Sequence, residues 1–66
     1  MTNLQKIRLE KGLTQKQLAE QAGLQKRMVE HYEQGTRSIN GAAAMTVYRI
    51  SEVLNCNFKD LLEFDE

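Results

Sequence analysis

The stretch QKRMVEHYEQG, residues 25–35, sets an unusual variety of hydrogen-bonding groups around only three large apolar side chains, Met28, Val29 and Tyr32. On an ideal helix with Lys26 at 0°, Glu30 falls at about 40°, Gln34 at about 80°, Arg27 at about 100° and His31 at about 140°. Val29 and Tyr32 fall on the far side, and Met28 on the border. Two cations, a carboxylate, an imidazole and an amide along one edge can donate to or accept from an outside partner, but they do not make a reaction centre. His31 is the chain's one histidine and Cys56 its one cysteine. That inventory excludes an intramolecular disulfide, a zinc ligand set and a histidine-supported nucleophile pair. No glycine-rich phosphate loop occurs either, so neither an enzyme nor a metal or cofactor is expected.

Whatever that edge meets, helices must hold it. Proline is absent and β-branched residues never alternate over a run, so the chain reads as helix and turn throughout. Leu4 and Ile7 mark a first helix that stops at Gly12. Thr14 and Gln17 form a Thr-x-x-Gln capping box that opens a second helix, Gln15 to Ala22, with Leu18, Ala19 and Ala22 on one face and Gly23 as its stop. A third helix runs from about Gln25, a poor cap, to Glu33, before Gly35. The spacing of Val47, Ile50, Val53 and Leu54 predicts a fourth, starting near Asn40 or Ala42 with Asn40 as an N-cap and lasting to Asn55. A short fifth helix is expected after Asn57, with Asp60 in its first turn and Phe58, Leu61 and Leu62 facing inward.

A chain of 66 residues buries only about 60% of its unfolded surface, so the core must be small and well packed. Hydrophobic content of 41% with 27% charge is that of a soluble globular protein. No apolar run suits a membrane span, and MTNLQKIRLEKG lacks the apolar stretch of a secretory signal, so a cytoplasmic location is expected. The net charge of zero hides a division: residues 1–37 carry seven basic and four acidic groups, and the remainder two basic and five acidic. The edge described above lies in the basic part, where an acidic polymer would bind.

Leu18, Ala19, Ala22, Gly23, Leu24, Val29 and Tyr32 stand where two crossing helices need apolar, small or turn residues. With LTQKQLAEQAGL (13–24), VEHYEQG (29–35) and VLNCNFKDLL (53–62) behind a first helix LQKIRLEKG (4–12), the chain resembles the Cro and phage-repressor (XRE-type) family of helix-turn-helix DNA-binding domains. The resemblance covers nearly the whole sequence. It implies an all-α, compact five-helix domain over residues 1–66, with the helix-turn-helix at about 15–33 and a short disordered tail at about 64–66.

It also implies roles. Lys26, Arg27 and His31 become base readers in the major groove of double-stranded DNA, with Gln25, Met28 and Glu30 beside them. Gln15, Lys16, Thr36 and Arg37 become phosphate contacts. Arg8 and Glu33 match a structural ion pair between the first and third helices. Cys56 reads as a small core residue, and Lys6, Glu10 and Lys11 as solvated charge. The expected protein is a transcriptional repressor binding two half-sites as a homodimer that assembles on DNA, with Leu61 and Phe64 as candidate subunit contacts and no small-molecule ligand. The alternatives are an antitoxin or mobile-element control protein that regulates its own operon, and a protein-interaction module that keeps the fold without reading DNA.

Overall fold

The computed structural model describes residues 1–64. Its helices are α1 (Asn3–Glu10), α2 (Gln15–Ala22), α3 (Lys26–Gln34) and α4 (Ala44–Leu54), with two short 3-10 helices at Ile39–Gly41 and Phe58–Leu61. No strand occurs among the described residues.

Each of the first two helices is started by a threonine and stopped near a glycine. Thr2 Oγ1 accepts from the Gln5 amide (3.2 Å), and the Thr14 box closes in both directions: the Gln17 amide donates to Thr14 Oγ1 (3.0 Å) and the Thr14 amide to Gln17 Oε1 (2.9 Å). Such a box satisfies two amides that a helix start otherwise leaves open. At the other end, Gly23 adopts φ +71°, and the Leu24 amide reaches back to the Ala19 carbonyl at 2.8 Å. That left-handed step turns the chain from α2 into α3 within three residues, Gly23 to Gln25.

One core unites the elements. Leu4, Leu18, Val29, Val47, Ile50, Leu54 and Leu61 are almost wholly buried, and Ala19, Ala22, Tyr32 and Ile39 complete the cluster. Ala19 and Ala22 have too little bulk to hold α3 away from α2. Ile7, Leu13, Leu24, Met28, Ala42, Val53 and Cys56 pack around the rim, so Cys56 is half-buried against the core.

The C-terminal half corrects the expected layout. Among the described residues there are four α-helices, not five: the segment after Asn57 makes only the 3-10 helix Phe58–Leu61, closed by the Asn57 amide donating to Asp60 Oδ2 (3.1 Å). Leu62 then leaves the helical region (φ −75°, ψ 152°), and two asparagines capture the backbone of residues 62 and 63. Asn3 Nδ2 donates to the Leu62 carbonyl (2.8 Å), Asn40 Nδ2 to the Glu63 carbonyl, and the Glu63 amide to Asn40 Oδ1 (2.8 Å). Asn40 is therefore no N-cap; it lies in the first 3-10 helix, and α4 begins at Ala44 without a side-chain cap. Leu61 is fully buried, which removes it as a subunit contact, whereas Phe58, expected inside, stands 43% exposed. Of the expected tail at 64–66, Phe64 is exposed and residues 65–66 lie outside the described residues.

Candidate nucleic-acid interface

The apolar side of α3 carries Val29, with no exposed surface, and Tyr32, nearly buried. These two fix its rotation about its own axis. A polar lock on the adjoining edge fixes its angle. Arg8 of α1 donates from Nε to Glu33 Oε2 (2.6 Å) and from Nη2 to Glu33 Oε1 (3.0 Å). Its remaining nitrogen, Nη1, donates to the Leu13 carbonyl (2.7 Å) in the loop between α1 and α2. Gln15, the first residue of α2, adds Nε2 to Glu33 Oε1 at 3.0 Å. One carboxylate thus ties α1, the loop and the start of α2 to α3. The two charged side chains are only 8% and 3% exposed, yet no buried side-chain polar atom among the described residues lacks a partner. Full pairing is what makes buried charge tolerable, because an unpartnered one carries its whole desolvation penalty.

Gln15 therefore has a structural bond in addition to its position at a helix start. An amide nitrogen carries two hydrogens. One is given to Glu33, and the other remains for an outside acceptor. Nothing in the local sequence announces the Gln15 to Glu33 bond, which spans 18 positions.

The opposite edge of α3 is open. Gln25, Lys26, Arg27, His31 and Gln34 are exposed, and Met28 and Glu30 are half-exposed. Lys26 Nζ stands 3.9 Å from Glu30 Oε2, a loose ion pair one turn apart. Arg27 Nε donates to Gln25 Oε1 (2.9 Å), which leaves Gln25 without a capping bond to the helix. Past Gly35 the chain folds back, and Thr36 Oγ1 meets His31 Nδ1 at 2.8 Å. Gln25, Arg27, Met28, His31, Thr36 and Arg37 together line an open groove of about 440 Å³. Four of the six expected base readers, Gln25, Arg27, Met28 and His31, and two of the expected phosphate contacts, Thr36 and Arg37, thus share one concavity, whereas Lys26 and Glu30 do not line it. Lys16 is exposed on the first turn of α2 and does not line it.

Two perturbed groups lie elsewhere. Burial pushes the Cys56 thiol up, Asp60 adds to the shift and Lys11 opposes it. Hydrogen bonding to Glu52, with that residue's charge, pushes the Tyr48 phenol up. Tyr48 and Glu52 border a second, shallower groove of about 390 Å³ between the end of α2 and α4. Neither perturbed group lines the groove beside α3, and no set of residues suited to a metal ion occurs among the described residues.

Two short helices crossing at a glycine turn, the second anchored along one side and polar along the other, define a helix-turn-helix DNA-binding module. A family model described as helix-turn-helix matches residues 4–61, and the chain belongs to that family, the XRE-type DNA-binding regulators. Comparison with curated proteins finds no match. The matched residues run from the first buried leucine, Leu4, to the last, Leu61, and so include every element of the core. The family is one of regulators that bind double-stranded DNA and are generally not enzymes. No described helix is long and apolar enough to cross a membrane.

Proposed function

We propose that residues 1–66 act as one unit: a cytoplasmic, sequence-specific transcriptional repressor that lays α3 in the major groove and occludes a promoter. The observation that carries this reading is the division of α3 into a locked inner edge and an open polar outer edge. Lys26 and Arg27 suit guanine O6 and N7, Glu30 suits cytosine N4, and Met28 suits a thymine methyl. Gln25 and His31 extend the same edge. Lys16, Arg37 and the second amide hydrogen of Gln15 hold phosphates, which position the protein without reading sequence.

The protein binds as a homodimer on two half-sites roughly 34 Å apart, one turn of DNA. A standard interface needs roughly 800 Å² from each partner, nearly a fifth of this chain's 4386 Å² surface. The exposed apolar groups near the paired chain ends, Met1 and Phe64, are too few for that. DNA therefore completes the dimer, and Phe64 supplies its apolar contact.

Selection from a random duplex library at two salt concentrations tests the reading. The expected outcome is an enriched two-fold site whose binding weakens steeply with salt, by about 0.9 in log–log slope per phosphate contacted. Failure to enrich any sequence would contradict it.

A further inference from the structure

Thr36 and His31 touch each other three times. The amides of Gly35, Thr36 and Arg37 all converge on the His31 carbonyl, at 3.1, 3.1 and 3.3 Å, so the start of the loop is pinned to the last turn of α3. The same fold-back sets Thr36 Oγ1 2.8 Å from Nδ1 of the His31 ring, and the hydroxyl also lies within donating distance of the His31 carbonyl (3.3 Å). Both side chains are exposed and line the groove with Arg27 and Arg37.

From this geometry we infer that Thr36 is a positioning residue for His31: it occupies Nδ1, fixes the ring plane and leaves Nε2 alone to face a base pair, which makes it a determinant of sequence preference. The inference rests on the reading of α3 as the groove-facing helix. Its chemistry follows from the two partners. A free histidine side chain on a surface turns about two bonds and offers either nitrogen, and that freedom is lost on binding. Threonine is branched at Cβ and stiff at χ1, so its hydroxyl is a fixed peg. A hydroxyl also donates or accepts as required. With Nδ1 protonated, Thr36 accepts from it and Nε2 accepts from adenine N6 or cytosine N4; with Nδ1 bare, Thr36 donates to it and Nε2–H donates to a purine N7 or guanine O6. Thr36 thus sets where the ring points, and the base pair opposite sets the tautomer. This role differs from the phosphate contact that the family pattern implies for Thr36.

Two measurements on the intact chain test it. The first needs no DNA: long-range ¹H–¹⁵N spectra of the His31 ring in wild type, Thr36→Ser and Thr36→Val. Thr36→Val should shift the Nδ1 resonance strongly, and Thr36→Ser should keep it near wild type. An unchanged ring in Thr36→Val would overturn the inference. The second compares binding to the selected duplex and to a scrambled one for His31→Ala, Thr36→Val, Thr36→Ser and the double variant His31→Ala with Thr36→Val. Thr36→Val and His31→Ala should each weaken the selected duplex about tenfold, with the double variant no worse than His31→Ala alone and the scrambled duplex unaffected by Thr36→Val. Thr36→Ser should restore the selected affinity. Equal loss on both duplexes, additive with His31→Ala, would make Thr36 a phosphate contact and overturn the inference alone. A wild-type chain that binds both duplexes equally would overturn the reading of α3 and this inference with it.

Discussion

Glu30 and Glu33 sit one turn apart on α3 and share a side-chain chemistry, but the fold treats them in opposite ways. Glu33 is buried and accepts three hydrogen bonds, two from Arg8 and one from Gln15. Glu30 is half-exposed, with Lys26 at 3.9 Å as its ion-pair partner. The same contrast runs along the helix: the inner edge is satisfied within the molecule, whereas the outer edge carries Lys26, Arg27 and Gln34 in solvent. The comparison separates two uses of polar chemistry that look alike in a sequence. A paired, buried polar group fixes geometry, and an exposed set held by fixed geometry is free to recognise something else.

That division breaks most visibly at Glu33. Glu33→Ala leaves the Arg8 guanidinium buried with no counter-charge and should cost about 3 to 5 kcal/mol of stability in urea denaturation. Replacing Arg8 and Glu33 together by leucine should recover part of the loss, since neither charge is then buried alone. On the outer edge the effect moves from stability to binding. Arg27→Ala should weaken the selected site by about 1 to 3 kcal/mol and relax one base position, with the urea midpoint unchanged; Arg37→Ala should instead weaken all sequences alike.

The turn that relates the two edges comes next. Gly23→Ala places a Cβ in the left-handed region at φ +71°, at a cost of about 1 to 2 kcal/mol in thermal unfolding, and the nearest side-chain atom is 4.0 Å away, so strain and not collision is responsible. Gly41→Ala is the control, because that glycine has ordinary φ and open space around its Cβ position. The smallest effect is expected for Lys26→Ala, whose exposed pair with Glu30 should contribute only about 0.3 to 0.5 kcal/mol to stability. Its loss should be read in duplex titrations, where it removes a groove-facing cation.

Local patterns made the helix-turn-helix legible. The Thr14 box, the alanines of α2 and the stop at Gly23 are each written within a few residues, and α2 has the limits that those signals predict. The polar arc of α3 follows from helix geometry alone, and the structure leaves that arc open. The C-terminal half was less legible because distant partners decide it. Asn40 looks like a helix cap in its own neighbourhood, but its amide pairs with the backbone of Glu63, 23 positions away. That pairing, with Asn3 bonding to Leu62, fastens the backbone of residues 62 and 63, and a 3-10 turn stands where the local pattern predicts a fifth helix. Leu61 and Phe64 both read as candidate subunit contacts, but Leu61, which the spacing also turns inward, is fully buried and Phe64 is 69% exposed. Likewise the bonds from Gln15 to Glu33 and from Thr36 to His31 depend on how the chain folds back, which no short spacing encodes.

Methylation interference on the selected duplex reports which groove α3 enters, because dimethyl sulfate marks guanine N7 in the major groove and adenine N3 in the minor groove. If the outer edge of α3 reads the major groove as a two-fold pair, methylated N7 positions should block binding in two tracts centred about 10 base pairs apart, and methylated N3 positions should not. Interference confined to N3, or a protected region with a single tract, would contradict the account.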